Sequence, residues 1–340
     1  MRATVMYGAG DVRVEERPDA TVQEPTDAVV RVTLACVCGS DLHPYRSKPA
    51  SQKGSPMGHE AIGVVEQIGS AVTGVDVGDH VVVPFGFSDN TCDICADGFH
   101  TACPHGGFIS GAQAELLRVP QASGTLVPFP ADVDPALLPA LLTLSDVYLT
   151  GYHAAFVGQV GPGKTVTVIG DGAVGLSAVL AAKQMGAERI ILMGRHEVRT
   201  DLGRRFGATD VVAERGEAGV ARVRELTGGA GTHVVLEAVG HMPAYEQAYG
   251  VVRSGGVISR VGVPQYTDAP VGSASLWGRN ITLNGGPAPV RAYLEEAIRL
   301  VLDGTIDPGV VFDAEVSLDD AAEGYRLMDS REALKVLVRP

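Results

Sequence analysis

Cys38-Gly39-Ser40-Asp41-Leu42-His43 and Gly58-His59-Glu60-Ala61 place a thiol and an imidazole in two separate segments. Those are donors that zinc prefers, so Cys38 and His59 could supply two ligands to one ion. Alone, the pair is a weak signal. Cys92, Cys95 and Cys103 form a second group, and Cys36 brings the total to five. An odd number of cysteines in two clusters points to metal sites before disulfides in a reducing compartment, and a chain with this much core has no need of a disulfide scaffold.

A third constellation is Gly170-Asp171-Gly172-Ala173-Val174-Gly175, directly after the apolar run Thr165 to Ile169 and before the helix-forming run Leu176 to Met185. This is GxGxxG in the context it requires. Gly170 permits a tight turn, Gly172 lets backbone approach a pyrophosphate, Gly175 lets helix and strand pack closely, and the helix N-terminus favours the phosphate charge. The bland alternative is an ordinary strand-to-helix turn, which the context disfavours. Gly161-Pro162-Gly163-Lys164-Thr165 is superficially similar to a phosphate loop but precedes the strand, so that reading is rejected. After the second strand an NAD site carries an acid for the ribose hydroxyls, whereas an NADP site carries arginine for the 2′-phosphate. Here Met193 is followed by Gly194-Arg195-His196-Glu197-Val198-Arg199. Gly194 replaces the acid, Arg195 and Arg199 could hold a 2′-phosphate, and His196 could lie against adenine, which favours NADP(H). Solvated helix-entry residues are the plain alternative, and Glu197 and Glu214 count against the phosphate.

The elements that must position these groups fall into two patterns. Up to about Thr150, short alternating runs rich in Val and Gly (Ala28 to Leu34, Ile62 to Ile68, His80 to Val83) predict a mainly β domain. Beyond it, Thr165 to Ile169, Arg189 to Met193, Asp210 to Val212, His233 to Glu237, Val257 to Val261 and Ile281 to Leu283 read as six strands separated by helical stretches. That is the pattern of a doubly wound parallel sheet. Two amphipathic helices (Arg291 to Asp303, Leu318 to Met328) and a strand (Leu334 to Val338) follow, and periodicity leaves open whether they extend the sheet or return to the first domain.

With these motifs in place, the chain resembles the zinc-containing medium-chain dehydrogenase/reductase (zinc-dependent alcohol dehydrogenase) family over nearly its whole length. The resemblance implies an α/β fold with a GroES-like, mainly β catalytic domain (1–149 and 287–340) and a Rossmann dinucleotide-binding domain (150–286). It implies a catalytic zinc on Cys38, His59 and Asp146, with Glu60 an acidic neighbour able to approach or exchange onto the metal. A capping role is the alternative for Asp146. Asp41 then orients His59, while Ser40 receives the alcohol proton and His43 forms the outer end of the relay. Weaker correspondences put Thr150 beside the nicotinamide, Val261 and Val263 against its carboxamide, and Lys335 near the pyrophosphate; an exposed edge-strand lysine is the other reading of Lys335. The family often has a four-cysteine lobe spaced CxxCxxCx7C that binds a structural zinc; Cys92, Cys95 and Cys103 match its last three places and Asp89 stands at the first. Three thiolates and a carboxylate should hold zinc less tightly than four thiolates. Cys36 is expected to be a core thiol.

The implied activity is hydride transfer between an alcohol or carbonyl compound and NADP(H). The alternatives are an NAD-dependent polyol or amino-alcohol dehydrogenase of the sorbitol or threonine type, and a noncatalytic nucleotide-binding protein. The set Cys38, His59, Asp146, Ser40 and His43 argues against the latter and against a zinc-free quinone reductase. Pro44, Tyr45, Phe85 and Phe108 are candidates for an apolar substrate pocket. Composition narrows the field further: 340 residues, 45% hydrophobic and 20% charged, can bury a large core in about two domains. A net charge of −13 argues against nucleic acid. No uninterrupted apolar run reaches about 18 residues, and Met1 to Asp11 lacks the pattern of a secretory signal, so a cytoplasmic protein is expected. By family analogy it is a homodimer or homotetramer.

Overall fold

The computed structural model describes all 340 residues, Met1–Pro340, in two compact units. The first comprises Met1–Asp146 and Pro289–Pro340, the second Val147–Ala288. The helix Val147–Val157 spans the expected boundary at residues 149 and 150 and belongs wholly to the second unit.

The first unit is built on a seven-stranded sheet whose order is Val127–Phe129, His80–Val83, Ala61–Ile68, Ala28–Cys36, Val336–Arg339 and Ala314–Ser317, with Leu116–Val119 also pairing with Ala28–Cys36. Val30, Val32, Val65, Val81, Leu117, Val119, Val336 and Val338 form its core with the helix residues Tyr325 and Met328. The β-branched side chains suit a pleated surface buried on one side. The chain's tail thus returns to the first unit. Val336–Arg339 runs antiparallel to Ala28–Cys36 and parallel to Ala314–Ser317. This strand starts two residues later than expected because the Asp313 carboxylate takes the N–H groups of Leu334 and Lys335.

The second unit holds six parallel strands in the order Asp210–Val212, Arg189–Met193, Thr165–Ile169, Thr232–Glu237, Val252–Arg260 and Thr282–Gly285. Helices Ala173–Gln184, Glu197–Phe206, Gly216–Leu226 and Met242–Val251 connect the first five in sequence, and a segment with the 3-10 turn Trp277–Arg279 leads to the sixth. The first two strands in sequence are almost entirely buried, so they read as continuous apolar runs rather than alternating ones. The order reverses between Thr165–Ile169 and Thr232–Glu237, the place where such sheets bind ligands at strand C-termini.

Candidate active site and structural metal lobe

The chain leaves the strand Ala28–Cys36 and turns at Cys38 into a short 3-10 turn, Gly39–Asp41, then the helix Leu42–Ser47. The Asp41 carboxylate locks this turn by accepting the Cys38 N–H at 3.0 Å through Oδ2. Its other oxygen, Oδ1, lies 3.4 Å from His59 Nδ1. One buried acid therefore fixes the thiol's backbone and the imidazole's orientation, leaving Nε2 as the metal-facing nitrogen. His59 Nε2 is 3.3 Å from Asp146 Oδ2, and Cys38 Sγ is 3.7 Å from the same oxygen. Ligand atoms of Cys38, His59, Glu60 and Asp146 all lie within 4.8 Å of one another.

The electrostatics of this cluster fit a cation. Burial alone would lower the pKa of His59, but Asp41, Cys38 and Asp146 hold it well above the ordinary histidine value. Burial, then Glu60 and Asp146, push the Cys38 thiol up. The surrounding acids thus favour a proton on His59, and burial favours one on Cys38; a divalent ion bound by soft sulfur, imidazole and carboxylate would take the place of those protons and supply the positive charge instead. Glu60 is fully buried and gives one oxygen to Lys335 Nζ at 2.7 Å, while its Oε2 has no hydrogen-bond partner. Ser40 Oγ stands 3.5 Å from His59 Nε2, and His43 lies half-buried on the following helix.

Lys335 is no edge-strand surface residue: it is fully buried, with Nζ also 3.3 Å from the Val37 carbonyl. Burial opposes its charge, but Cys36, Glu60 and Cys38 around it keep its pKa well above the ordinary lysine value. Cys36 is buried in the same core. Tyr45 packs on Tyr325 with ring centroids 5.4 Å apart, so much of its face serves the β core. Phe85 and Phe108 stack at 5.9 Å, and the Phe85 N–H bonds to the Ser145 carbonyl, next in sequence to Asp146. Pro44 lies half-buried on the helix after Cys38.

In the second lobe Asp89, Cys92, Cys95 and Cys103 place their ligand atoms within 4.8 Å. All three cysteines are free thiols. Burial, with Cys92 and Cys103 beside it, raises the Cys95 thiol to about 12. Asp89 Oδ1 accepts the N–H groups of Thr91 and Cys92, and Oδ2 lies 2.6 Å from His105 Nδ1. These contacts hold the Asp89 carboxyl well below its usual range. His105 was not singled out by the sequence; a histidine two residues past Cys103 is the signal that could have found it.

The glycine turn of the second unit behaves as its spacing requires. Gly170 has φ of +113°, where a side chain would be strained. A Cβ on Gly175 would run into the Gly170 carbonyl oxygen, and one on Gly172 would meet open space. Gly172 caps the helix Ala173–Gln184 with no side-chain hydrogen bond, so the first-turn N–H groups, including those of Ala173 and Val174, receive no side-chain cap. That cradle fits a pyrophosphate. Thr150 is buried on the helix Val147–Val157. Val261 N–H bonds to the Glu237 carbonyl, and Val263 is half exposed. Gly194 is buried, Arg195 is exposed, and His196 and Arg199 are half-buried at the entry of the helix Glu197–Phe206. The residue missed here is Asp171, whose Oδ2 accepts the N–H groups of Arg195 and His196 at 2.8 and 3.0 Å.

Residues 24–131 match the family profile described as the alcohol dehydrogenase GroES-like domain, and residues 173–303 match that of zinc-binding dehydrogenases. Zinc-type alcohol dehydrogenase B of Aspergillus flavus is 34% identical across the whole of this chain and 81% of its own length. The chain belongs to the zinc-dependent alcohol dehydrogenase family. An alcohol dehydrogenase from Thermus sp. ATN1 superposes with a TM-score of 0.91 at 36% identity, covering 100% of this chain and 99% of the other. Zinc dependent alcohol dehydrogenase 2 from Streptococcus pneumonia, in its apo form, gives 0.91 at 29% identity, with 100% and 98% covered. This dehydrogenase is thus an oxidoreductase acting on CH–OH groups, with zinc at a catalytic site that includes Cys38, His59 and Glu60 and at the structural site of Asp89, Cys92, Cys95 and Cys103.

Proposed function

We propose that this dehydrogenase exchanges a hydride between the carbinol carbon of an alcohol, or the matching carbonyl carbon, and a nicotinamide dinucleotide. The observation that carries the reading is the convergence of Cys38, His59, Glu60 and Asp146 within 4.8 Å, from three separated segments of one chain that also bears the glycine cradle. Cys38, His59 and Asp146 are the proposed ligands, with Glu60 beside them. Zinc held there supplies Lewis-acid chemistry, acidifying a hydroxyl or polarising a carbonyl. Asp41 keeps the His59 ring in its tautomer and orientation through Nδ1. Ser40, adjacent to His59, accepts the substrate's hydroxyl proton while its own hydroxyl proton leaves toward His43, the outer end of the proposed relay. In the reductive direction the same two groups return it. Residues 170–175 bind the pyrophosphate, with Thr150, Val261 and Val263 proposed at the nicotinamide.

The missing acid at Gly194, with Arg195 and Arg199 near it, favours NADP(H). Asp171 brings a carboxylate to that same strand end, and this supports NAD(H), the second cofactor considered. The first test is Cys38→Ser. It is expected to lose one of two zinc equivalents per chain, measured by atomic emission, and to lower turnover of primary and secondary alcohols by about a hundredfold or more. Equal zinc content and equal turnover in wild type and variant would exclude Cys38 as a ligand.

A further inference from the structure

Asp171 follows the first glycine of the turn, yet its side chain serves a different part of the unit. Its Oδ2 accepts from Arg195 N at 2.8 Å and His196 N at 3.0 Å and lies 2.9 Å from His196 Nδ1. A Cβ on Gly194 would stand 2.7 Å from Asp171 Cβ and 3.0 Å from its Oδ2. Asp171 and a side chain at position 194 are therefore alternative occupants of one space. A glycine at the end of the second strand is here the room needed by an acid arriving from the turn. We propose that Asp171 is the cofactor-selecting residue of this dehydrogenase: the carboxylate that an NAD-type site carries at the end of its second strand is supplied from the glycine turn, and it excludes a 2′-phosphate. This deepens the nicotinamide reading above and rests on it.

Two physical effects act together. The carboxylate occupies the Arg195 and His196 N–H groups at the start of the helix Glu197–Phe206, which are the backbone donors a 2′-phosphate would otherwise find. It also sets a buried negative charge beside the place where a dianion would have to sit, and in a partly desolvated site that repulsion is weakly screened. Burial opposes the charge on Asp171, but the N–H groups of His196 and Arg195 outweigh it and hold its pKa below the ordinary value, so the group stays ionised at neutral pH. His196, paired with the same oxygen, is fixed as part of this device.

The test is calorimetric titration of the full, zinc-loaded protein at pH 8 with ADP-ribose and with 2′-phospho-ADP-ribose, which needs no turnover. Wild type is expected to prefer ADP-ribose by about tenfold or more. Asp171→Asn keeps an acceptor for the two N–H groups but removes the charge, and is expected to shrink the preference by about tenfold. The transposed pair Asp171→Gly with Gly194→Asp returns the acid to the strand end and is expected to restore it. Equal or tighter binding of the 2′-phosphorylated ligand by wild type overturns the inference, as does an unchanged ratio in a folded Asp171→Asn protein. Should wild type bind neither ligand, the nicotinamide reading itself falls, which is a distinct result.

Discussion

At the scale of single residues, the chemistry of this dehydrogenase depends on acids that are either paired or aimed. Asp41 is paired twice, to the Cys38 backbone and the His59 ring, and so prepares two groups at once. Glu60 is shared between the Lys335 ammonium, which bonds its Oε1, and the cluster of Cys38, His59 and Asp146, while its Oε2 has no hydrogen-bond partner. Replacing one member of a buried ion pair leaves an uncompensated charge, at a cost of about 3–5 kcal/mol. Lys335→Met is therefore expected to lower the unfolding free energy by roughly that amount. The double variant Lys335→Met with Glu60→Gln should recover most of it, since neither charge then remains. Denaturant titration of the four proteins of the cycle checks this, and additive losses would mean the pair is not coupled.

At the scale of elements, two short segments are shaped by what they must bind. The turn of residues 170–175 has no room for a methyl at Gly175, because the Gly170 carbonyl occupies it. Gly175→Ala is expected to abolish detectable ADP-ribose binding in calorimetry while the zinc content stays unchanged. In the lobe of residues 89–103 the oxygen of Asp89 stands where relatives of this family often place a fourth sulfur. Asp89→Cys is expected to slow the release of that zinc to a colorimetric chelator by about tenfold. Asp89→Ala is expected to speed release and to lower the melting temperature by about 1–2 °C, about 1 kcal/mol of stability. A release rate indifferent to both changes would remove Asp89 from the ligand set.

At the scale of the molecule, each unit holds the determinants of one function within itself: the metal cluster in Met1–Asp146 with Pro289–Pro340, the glycine cradle in Val147–Ala288. Ligand effects on local stability should follow that division. Amide exchange in the presence of ADP-ribose is expected to slow mainly between residues 147 and 288. Stripping zinc is expected to speed it mainly around residues 36–60 and 86–108. Protection spread evenly over both units by either treatment would show that they open as one. No helix is long and apolar enough to cross a membrane.

Much of this was legible along the chain, for reasons that are local. The strands Thr165–Ile169 and Arg189–Met193 are legible to the residue because strands covered on both faces must be largely apolar, the short edge strand Asp210–Val212 is legible from its two valines, and the glycine turn declares itself by steric requirements within six positions. The spacing of the three lobe cysteines points to a metal by itself, whereas Cys38 and His59 are a weak signal alone and gain their ligand role from the family resemblance. What adjacency could not reveal is where a charge finds its partner. Asp171 reads as filler inside the turn until the sheet brings Gly194 against it, and Lys335 meets Glu60 across 275 residues only once the final strand has docked on Ala28–Cys36. The return of the tail to the first unit was equally undecided, since an amphipathic helix and a short strand satisfy their own periodicity on either sheet. Local sterics and hydrophobic pattern act over a few residues and are written in order; the pairing of buried charges is decided by register between distant strands, which exists only in the folded chain.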